Sequence, residues 1–509
     1  MRHSSIGGRV DVRHLLVVVA LSLTSATLQA QVTQAEYAQR RAALAAKLQD
    51  GVVLAIGAQE PAHDYLSFYQ TESFKYLTGY NEPNAVMVMV KRGGRTSTTL
   101  FVESRDPAAE VWTGKRFGPE GAAAATGIPA RRVDELEATL DTLLANTSQL
   151  YVIGDGQFSN RGDRGQAMTR DEQFVRALAA DHASLKVASA NQHVMVARGR
   201  KSAAELDLIR KAVAITVEAQ REAMRAMEPG MNEFEIQGLI EYTFRRNGAD
   251  RPSFATIVAS GPNSTTLHYN ADDRFMNAGE VVVMDVGASY RGYAADVTRT
   301  VPVSGTFTAD QRTIYQIVRD AQSAAERQAK VGGRASLMSD SASAVIAAGL
   351  ARLGLIESPN ATYDCGPLQQ PQQCPQLSLY YMHGLGHGIG LEVHDPEQYY
   401  FTGTIAAGSA YTLEPGIYVR ENLLEILPKT ARNDALSAKI RPAVQRFRNI
   451  GIRIEDDYVV TDAGVEWISR APREIAEVEA LMREAVAGVA KRDSTKVEWY
   501  RRTAGPQAP

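Results

Sequence analysis

The chain has 509 residues, of which 44% are hydrophobic and 22% charged, enough to fill two sizeable cores and to fit two domains. A formal net charge of -3 and a pI near 6.4 give no electrostatic case for nucleic acid as a partner. Basic pairs such as Arg245-Arg246 and Arg501-Arg502 read as solvated surface. Along the chain, Arg2, Arg9 and Arg13 precede an apolar run at 15–23, and Ala30 ends the segment before Gln31. This pattern predicts a secretory signal over 1–30, cut after Ala30; the other reading is a retained amphipathic N-terminus. The apolar stretch, at about 15 residues, falls short of the roughly 20 that span a bilayer. No cysteine follows the cut to carry a lipid. The mature chain is therefore expected in a periplasm or secreted, without a membrane anchor.

Residues 35–48 are helical in pattern, and apolar runs at 51–56, 85–90 and 149–153 alternate with helical segments at 131–145 and 168–180. That alternation predicts an α/β domain over 31–196. Ser202 and Glu205 form a capping box that opens a long helix with Leu208, Ala212, Ile215 and Ala219 on one stripe. Pro229-Gly230 ends it, and Asn232 opens a second helix with Ile236, Leu239, Ile240 and Phe244 inward. Helical patterns return at 309–330, 336–354 and 472–489. With strand-like runs between them, 197–490 reads as an α+β domain, followed by a tail over 491–509.

Five side chains in the second domain share one chemistry: Asp285, Asp296, His387, Glu414 and Glu455, each in a short strand-like run. Four carboxylates and an imidazole make a poor core and a good site for a pair of divalent cations. Residues 280–287 read as a buried strand, 288–292 as a turn and 293–300 as the returning strand. Centring that hairpin between Tyr290 and Arg291 makes Asp285 and Asp296 directly opposed, with Cβ atoms about 5 Å apart, where like charges destabilise a sheet unless a cation lies between them. Metal ions roughly 3.5 to 4 Å apart are the usual two-metal hydrolytic arrangement. Residues 383–394 then pack His383, His387 and His394 among glycines, a density that packing does not explain. Glu414 closes a strand before Pro415-Gly416, and Arg453 and Glu455 alternate with apolar residues.

These segments resemble the pita-bread metallopeptidases, and most closely the aminopeptidase P group, which removes an N-terminal residue from peptides with proline second. The match is carried by the two aspartates eleven residues apart, the His383-Gly-Leu-Gly-His387 run, Glu414-Pro415-Gly416 and Arg453-Ile-Glu455-Asp456. The segment from Asp64 to Pro83, with Glu103 and Trp112, is similar to the N-terminal domain of the same group. In Tyr69 and Ser73 this chain departs from the arginine and aspartate usual there. The resemblance implies that Asp285 chelates one metal, that His387 and Glu414 bind the other, and that Asp296 and Glu455 bridge both. It further implies that His268 and His394 hold the substrate and its developing oxyanion, with His383 and Arg453 supporting the ligands. Glu414 is the expected proton shuttle.

Such a donor set implies a pair of divalent ions. Oxygen donors with one imidazole favour Mn²⁺, with Zn²⁺, Co²⁺ and Fe²⁺ as alternatives. Three functions stay open: Xaa-Pro aminopeptidase, Xaa-Pro dipeptidase on the same ligands, and a non-catalytic binding protein on the same fold. The expected partners are peptides with proline second and further copies of the chain, as a dimer or tetramer. The only cysteines, Cys365 and Cys374, either close a small loop or remain free thiols. Their Pro/Gln-rich segment and residues 421–447 read as insertions beside the site motifs, placed to shape access to it.

Overall fold

The computed structural model describes residues 32–63, 65–154, 169–367, 370, 372–485, 491 and 495. The expected signal segment and nearly all of the 491–509 tail lie outside them.

Six strands form the first sheet: β1 (Gly51–Ile56), β2 (Val86–Arg92), β3 (Arg95–Val102), β4 (Ala130–Arg132), β5 (Gln149–Ile153) and β6 (Lys186–Ser189), in the order β4-β3-β2-β1-β5-β6. The β1–β2 and β2–β3 pairs are antiparallel, whereas β4, β5 and β6 join in parallel. Strand β1 is buried throughout because helices cover both faces. Val52 and Leu54 pack on Leu136, Leu140 and Val175, while Val53 and Ala55 pack on Leu44, Phe74 and Val194. This is the period-two alternation of a strand between two layers. The helix expected over 131–145 is shorter, Leu136–Leu144, because Arg131 and Arg132 are drawn into β4 alongside Phe101 and Val102. Helix Arg170–Asp181 stands where the helical pattern over 168–180 places it.

The second unit is helices backing short antiparallel sheets. Helix Ala203–Ala226 opens on the expected box, with Ser202 Oγ accepting from Glu205 N at 3.2 Å and Glu205 Oε2 from Ser202 N at 2.9 Å. Helices Glu233–Arg246, Ala309–Gln328 and Ser336–Leu353 follow the predicted pattern. Ile236, Ile240 and Phe244 are fully buried against Met284, Val286 and Ile314. The closing helix is Ile475–Met482, its end tightening through the Arg483 N to Ala480 O bond, and residues 486–489 of the expected 472–489 lie outside the described ones. The strands are β7 (Arg251–Pro252), β8 (Ile257–Ser260), β9 (Val281–Val286), β10 (Ala288–Tyr290), β11 (Tyr293–Ala294), β12 (Val297–Pro302), β13 (Thr362–Cys365), β14 (Gln372–Pro375), β15 (Ala410–Leu413), β16 (Gly416–Val419), β17 (Ile450–Arg453), β18 (Asp456–Thr461) and β19 (Gly464–Trp467). They pair as β12-β9-β8, β11-β10-β7, β15-β18-β19, β16-β17 and β13-β14.

The hairpin register differs from the expected one. Tyr290 pairs with Tyr293 and Thr298 with Asp285, so the turn is centred between Arg291 and Gly292, whose φ values of 52° and 84° belong to a tight two-residue turn. Asp285 and Asp296 are therefore diagonal neighbours and not a directly opposed pair. Moving the centre by one residue moves the pairing by two, which leaves both carboxylates on the same face. Gln220, buried in helix Ala203–Ala226, pins this hairpin from behind by donating to Met284 O at 3.0 Å and Val297 O at 2.9 Å.

Cys365 and Cys374 are joined as a disulfide across the β13–β14 hairpin. The other insertion forms helix Ala431–Phe447, and the two insertions hold each other: Asn433 Oδ1 accepts from Asp364 N at 3.0 Å and Asn433 Nδ2 donates to Asp364 O at 2.9 Å. Among the described residues, neither insertion lines the cavity that holds the predicted donors.

Candidate metal centre

Strand ends carry four of the predicted donors, whereas His387, expected in a strand-like run, lies on the glycine-rich loop before β15. Asp285 is on β9, central in its sheet, and Asp296 precedes β12 with its amide donating to Asp457 Oδ2 at 3.1 Å. His387 is held edge-on to β15: Thr412 N donates to His387 O at 2.8 Å, and Glu414 N to Leu385 O at 2.7 Å. That approach requires Gly386, because a Cβ there would lie 2.0 Å from Thr412 O. Glu455 joins β17 to β18 and donates its amide to Thr298 O at 3.0 Å. At Gly287, where β9 gives way to β10, a Cβ would lie 1.8 Å from Ala295 O, so the glycine lets the hairpin fold closely over itself.

All nine predicted site residues line one cavity of about 460 Å³: Asp285, Asp296, His387, Glu414, Glu455, His268, His383, His394 and Arg453. The tightest group is Asp296, His387 and Glu455, whose ligand atoms lie within 4.8 Å of one another. His387 Nε2 is 3.4 Å from Asp296 Oδ2, 3.5 Å from Glu414 Oε1 and 3.9 Å from Glu455 Oε1. Its other nitrogen, Nδ1, donates to Gly388 O at 3.1 Å, which assigns the tautomer with a lone pair on Nε2 facing the carboxylates. Asp285 leans instead on Arg453, whose Nη2 donates to Asp285 Oδ2 at 2.5 Å.

Among the described residues, Asp285 Oδ1, Asp296 Oδ1 and Glu455 Oε1 are buried without a hydrogen-bond partner. Orphaned carboxylate oxygens of this kind are costly unless something positive completes them. Burial, then the Glu455 charge, drives the Asp296 and Glu414 carboxyls well above the usual carboxylate range. Burial and Asp285 push Glu455 up to about 8. Burial holds His387 and His383 down to about 4, so both imidazoles are neutral at neutral pH. Hard oxygens with one neutral imidazole and unfilled valences inside a cavity fit divalent cations.

Two family models divide the chain. The one described as Metallopeptidase family M24 matches residues 207–462, half of the chain, and the one described as Aminopeptidase P, N-terminal domain matches 37–152. The chain belongs to metallopeptidase family M24. It is a metal-dependent hydrolase of the pita-bread fold, with the aminopeptidase P N-terminal domain ahead of the catalytic one. The Xaa-Pro aminopeptidase of Escherichia coli K12 is 32% identical over 467 residues, covering 89% of this chain and 98% of that protein. Human Xaa-Pro dipeptidase is 29% identical over 465 residues, covering 86% and 89%. Among solved structures, Pseudomonas aeruginosa aminopeptidase PepP superposes with a TM-score of 0.73 at 30% identity, covering 89% of this chain and 99% of that one. E. coli aminopeptidase P with the inhibitor Pro-Leu gives 0.72 at 30%, covering 89% and 98%.

Three residues in this M24 site escape a reading of the sequence alone. Thr298 Oγ1 donates to Glu455 Oε2 at 2.7 Å and accepts from Arg453 Nε at 3.2 Å. Its signal was available: two residues beyond Asp296 in the run read as the returning strand over 293–300, it falls on the same face. Tyr418 accepts from Arg453 Nη1 at 3.0 Å and donates to His383 Nε2 at 2.8 Å, while His383 Nδ1 donates to Gly384 O at 2.8 Å. Asp457 is wholly buried, and burial drives its carboxyl well above the ordinary range. Nothing in the local sequence distinguishes Tyr418 or Asp457 from strand residues of the core. At the two departures from the group's pattern, Ser73 Oγ accepts from Arg198 Nη1 at 3.2 Å, and the Arg251 guanidinium lies 3.8 Å over the Tyr69 ring.

Proposed function

We propose that the chain is an exported Xaa-Pro aminopeptidase that uses two divalent ions, manganese first among them. The observation that carries this reading is a carboxylate-rich cavity with orphaned oxygens, in a chain that also has the aminopeptidase P N-terminal domain. Asp285 would chelate one ion, His387 and Glu414 the other, and Asp296 and Glu455 would bridge them. When bound, the ions supply Lewis acidity toward a carbonyl and water of lowered pKa. Arg453 fixes Asp285 for this task, and Tyr418 fixes Arg453. Phe254, Ile257, Leu267 and Val393 give the cavity an apolar wall suited to a proline ring. Glu414 faces that space and moves a proton to the departing proline nitrogen, with His268 and His394 donating to the oxyanion.

The second reading is Xaa-Pro dipeptidase, favoured by the similarity to the human dipeptidase. Comparing a dipeptide with tri- and pentapeptides of the same Xaa-Pro start separates the two. Cleavage of the longer peptides supports the aminopeptidase, and cleavage of the dipeptide alone overturns it. A protein that binds less than one ion per subunit under saturating Mn²⁺ and cleaves none of these peptides is a binding protein. Full turnover in His394→Ala would remove that residue from the mechanism. Fractionation of the native host tests export, and sedimentation tests the proposed dimer or tetramer.

A further inference from the structure

A seam of cavities runs from the donor site between the two units. His387 and His394 wall both the donor cavity and a second one of about 510 Å³, which also contains Ser73, Glu392 and the buried Arg198. A third, of about 480 Å³, takes up the neighbouring residues Glu72 and Leu391, so the two share a wall built from adjacent positions on both units.

The third cavity is basic. Lys75, Arg245, Arg251 and Arg291 line it, against the two carboxylates Glu72 and Asp250. Among the described residues, none of these four cations forms an ion pair. Lys75 donates to Arg291 O at 3.0 Å and Arg245 to Ala249 O at 2.7 Å, carbonyls that leave the formal charge uncancelled. Arg251 lies over Tyr69, and Asp250 Oδ2 is occupied by Gly292 N at 2.8 Å. Burial is the main reason the Lys75 ammonium sits below its ordinary range; Asp250 and Glu72 pull it back up, while Arg251 adds to the lowering. Lys75 and Arg251 are half-buried while Arg245 and Arg291 are exposed, so the charge is reachable from solvent. Four cations against two acids leave an excess of positive charge, which makes a site for an anion.

We propose that this cavity receives a carboxylate of an extended, acidic peptide substrate whose N-terminal bond is cut in the donor cavity. This role rests on the peptidase reading of the donor site. Arg291 stands at the hairpin tip, five residues from Asp296. At roughly 3.3 Å per residue that is at most about 17 Å, which an extended peptide spans in about five residues. Positions five and six of an extended peptide are therefore long enough to reach the cavity.

The test uses metal-loaded enzyme and C-terminally amidated Ala-Pro-Ala, Ala-Pro-Ala-Ala-Glu-Glu and Ala-Pro-Ala-Ala-Lys-Lys. The wild type should show a KM about tenfold lower for the Glu peptide than for the Lys peptide, a gap that closes at high salt. The double variant Arg251→Gln, Arg291→Gln should erase the gap while keeping wild-type kcat and KM on the tripeptide. A gap absent from the wild type, or retained in the variant, overturns the proposal. N-acetylated Ala-Pro-Ala-Ala-Glu-Glu, titrated calorimetrically, reads the site without cleavage. Its binding to wild type and not to the variant supports the site even if no peptide is cut, in which case the peptidase reading alone fails. Inorganic phosphate that binds without being displaced by the acetylated peptide assigns the cavity to a free oxyanion and overturns the substrate role. Failure of both probes to bind overturns the site.

Discussion

Tyr418→Phe removes one oxygen from the centre of the site's supporting network and changes little else. The ring is fully buried and phenylalanine keeps its packing, so the substitution is close to volume-conserving. What disappears is the hydroxyl that accepts from Arg453 Nη1 at 3.0 Å and donates to His383 Nε2 at 2.8 Å. A bond to a charged donor contributes about 1.5–3 kcal/mol and a neutral one about 1 kcal/mol, so the loss should be about 3 kcal/mol. A water entering the vacated slot would hold the loss to the lower end. The slot is small, since a Cβ on Gly416 would lie 2.5 Å from the hydroxyl. Freed on one side, Arg453 no longer holds Asp285 in one position, and turnover should fall about 10- to 100-fold, as for other groups that orient metal ligands. Urea unfolding, metal content and kcat on one tripeptide measure all three consequences. A variant within about 0.5 kcal/mol of wild type and within twofold in kcat would refute the idea that Arg453 is positioned through Tyr418.

Asp296→Asn should lower bound metal and activity together by at least about 100-fold, because it replaces a negative oxygen in the tightest donor group; metal content by elemental analysis against kcat reads the coupling, and loss of activity at full occupancy would contradict it. Replacing Cys365 and Cys374 by serine should cost about 2–3 kcal/mol from chain entropy, yet leave tripeptide turnover within twofold, since the β13–β14 hairpin does not reach the cavity. Asp272 is 1% exposed, with Oδ2 unpartnered, and burial pushes its carboxyl up to about 7. A raised folded-state pKa means its contribution is intact below about pH 4 and is lost as pH rises through 7. Asp272→Asn, tolerated at φ 47°, should therefore gain on wild type by roughly 3 kcal/mol between pH 5 and pH 8.5 in thermal unfolding; equal differences at both pH values would contradict the assignment.

The layers and the site face were legible because they depend on period and parity, which the chain displays locally. Val52 and Leu54 against Val53 and Ala55 announce a strand covered on both sides, and the Ser202–Glu205 box announces a helix start. The strand Arg95–Val102 does not read as one, because its first half is exposed and polar and shows no apolar alternation. Register is a different kind of information. The observed centre places Gly292 second in a two-residue turn but also requires a positive φ of Arg291, which is uncommon for arginine, so the centre is not fixed by the apolar pattern alone. Asp285 therefore faces Thr298 where Asp296 was expected, and the difference is harmless because pairing shifts in steps of two. The supporting groups were illegible for a further reason. Tyr418 meets His383 across 35 positions, and Asp457 meets the Asp296 amide across 161. A polar atom buried in one strand is distinguished from core only by the partner that another strand delivers, so its role depends on the assembled sheets. The donors escape that limit because repelling carboxylates brought to one face must be reconciled by something outside the chain, and the need is visible in their type alone.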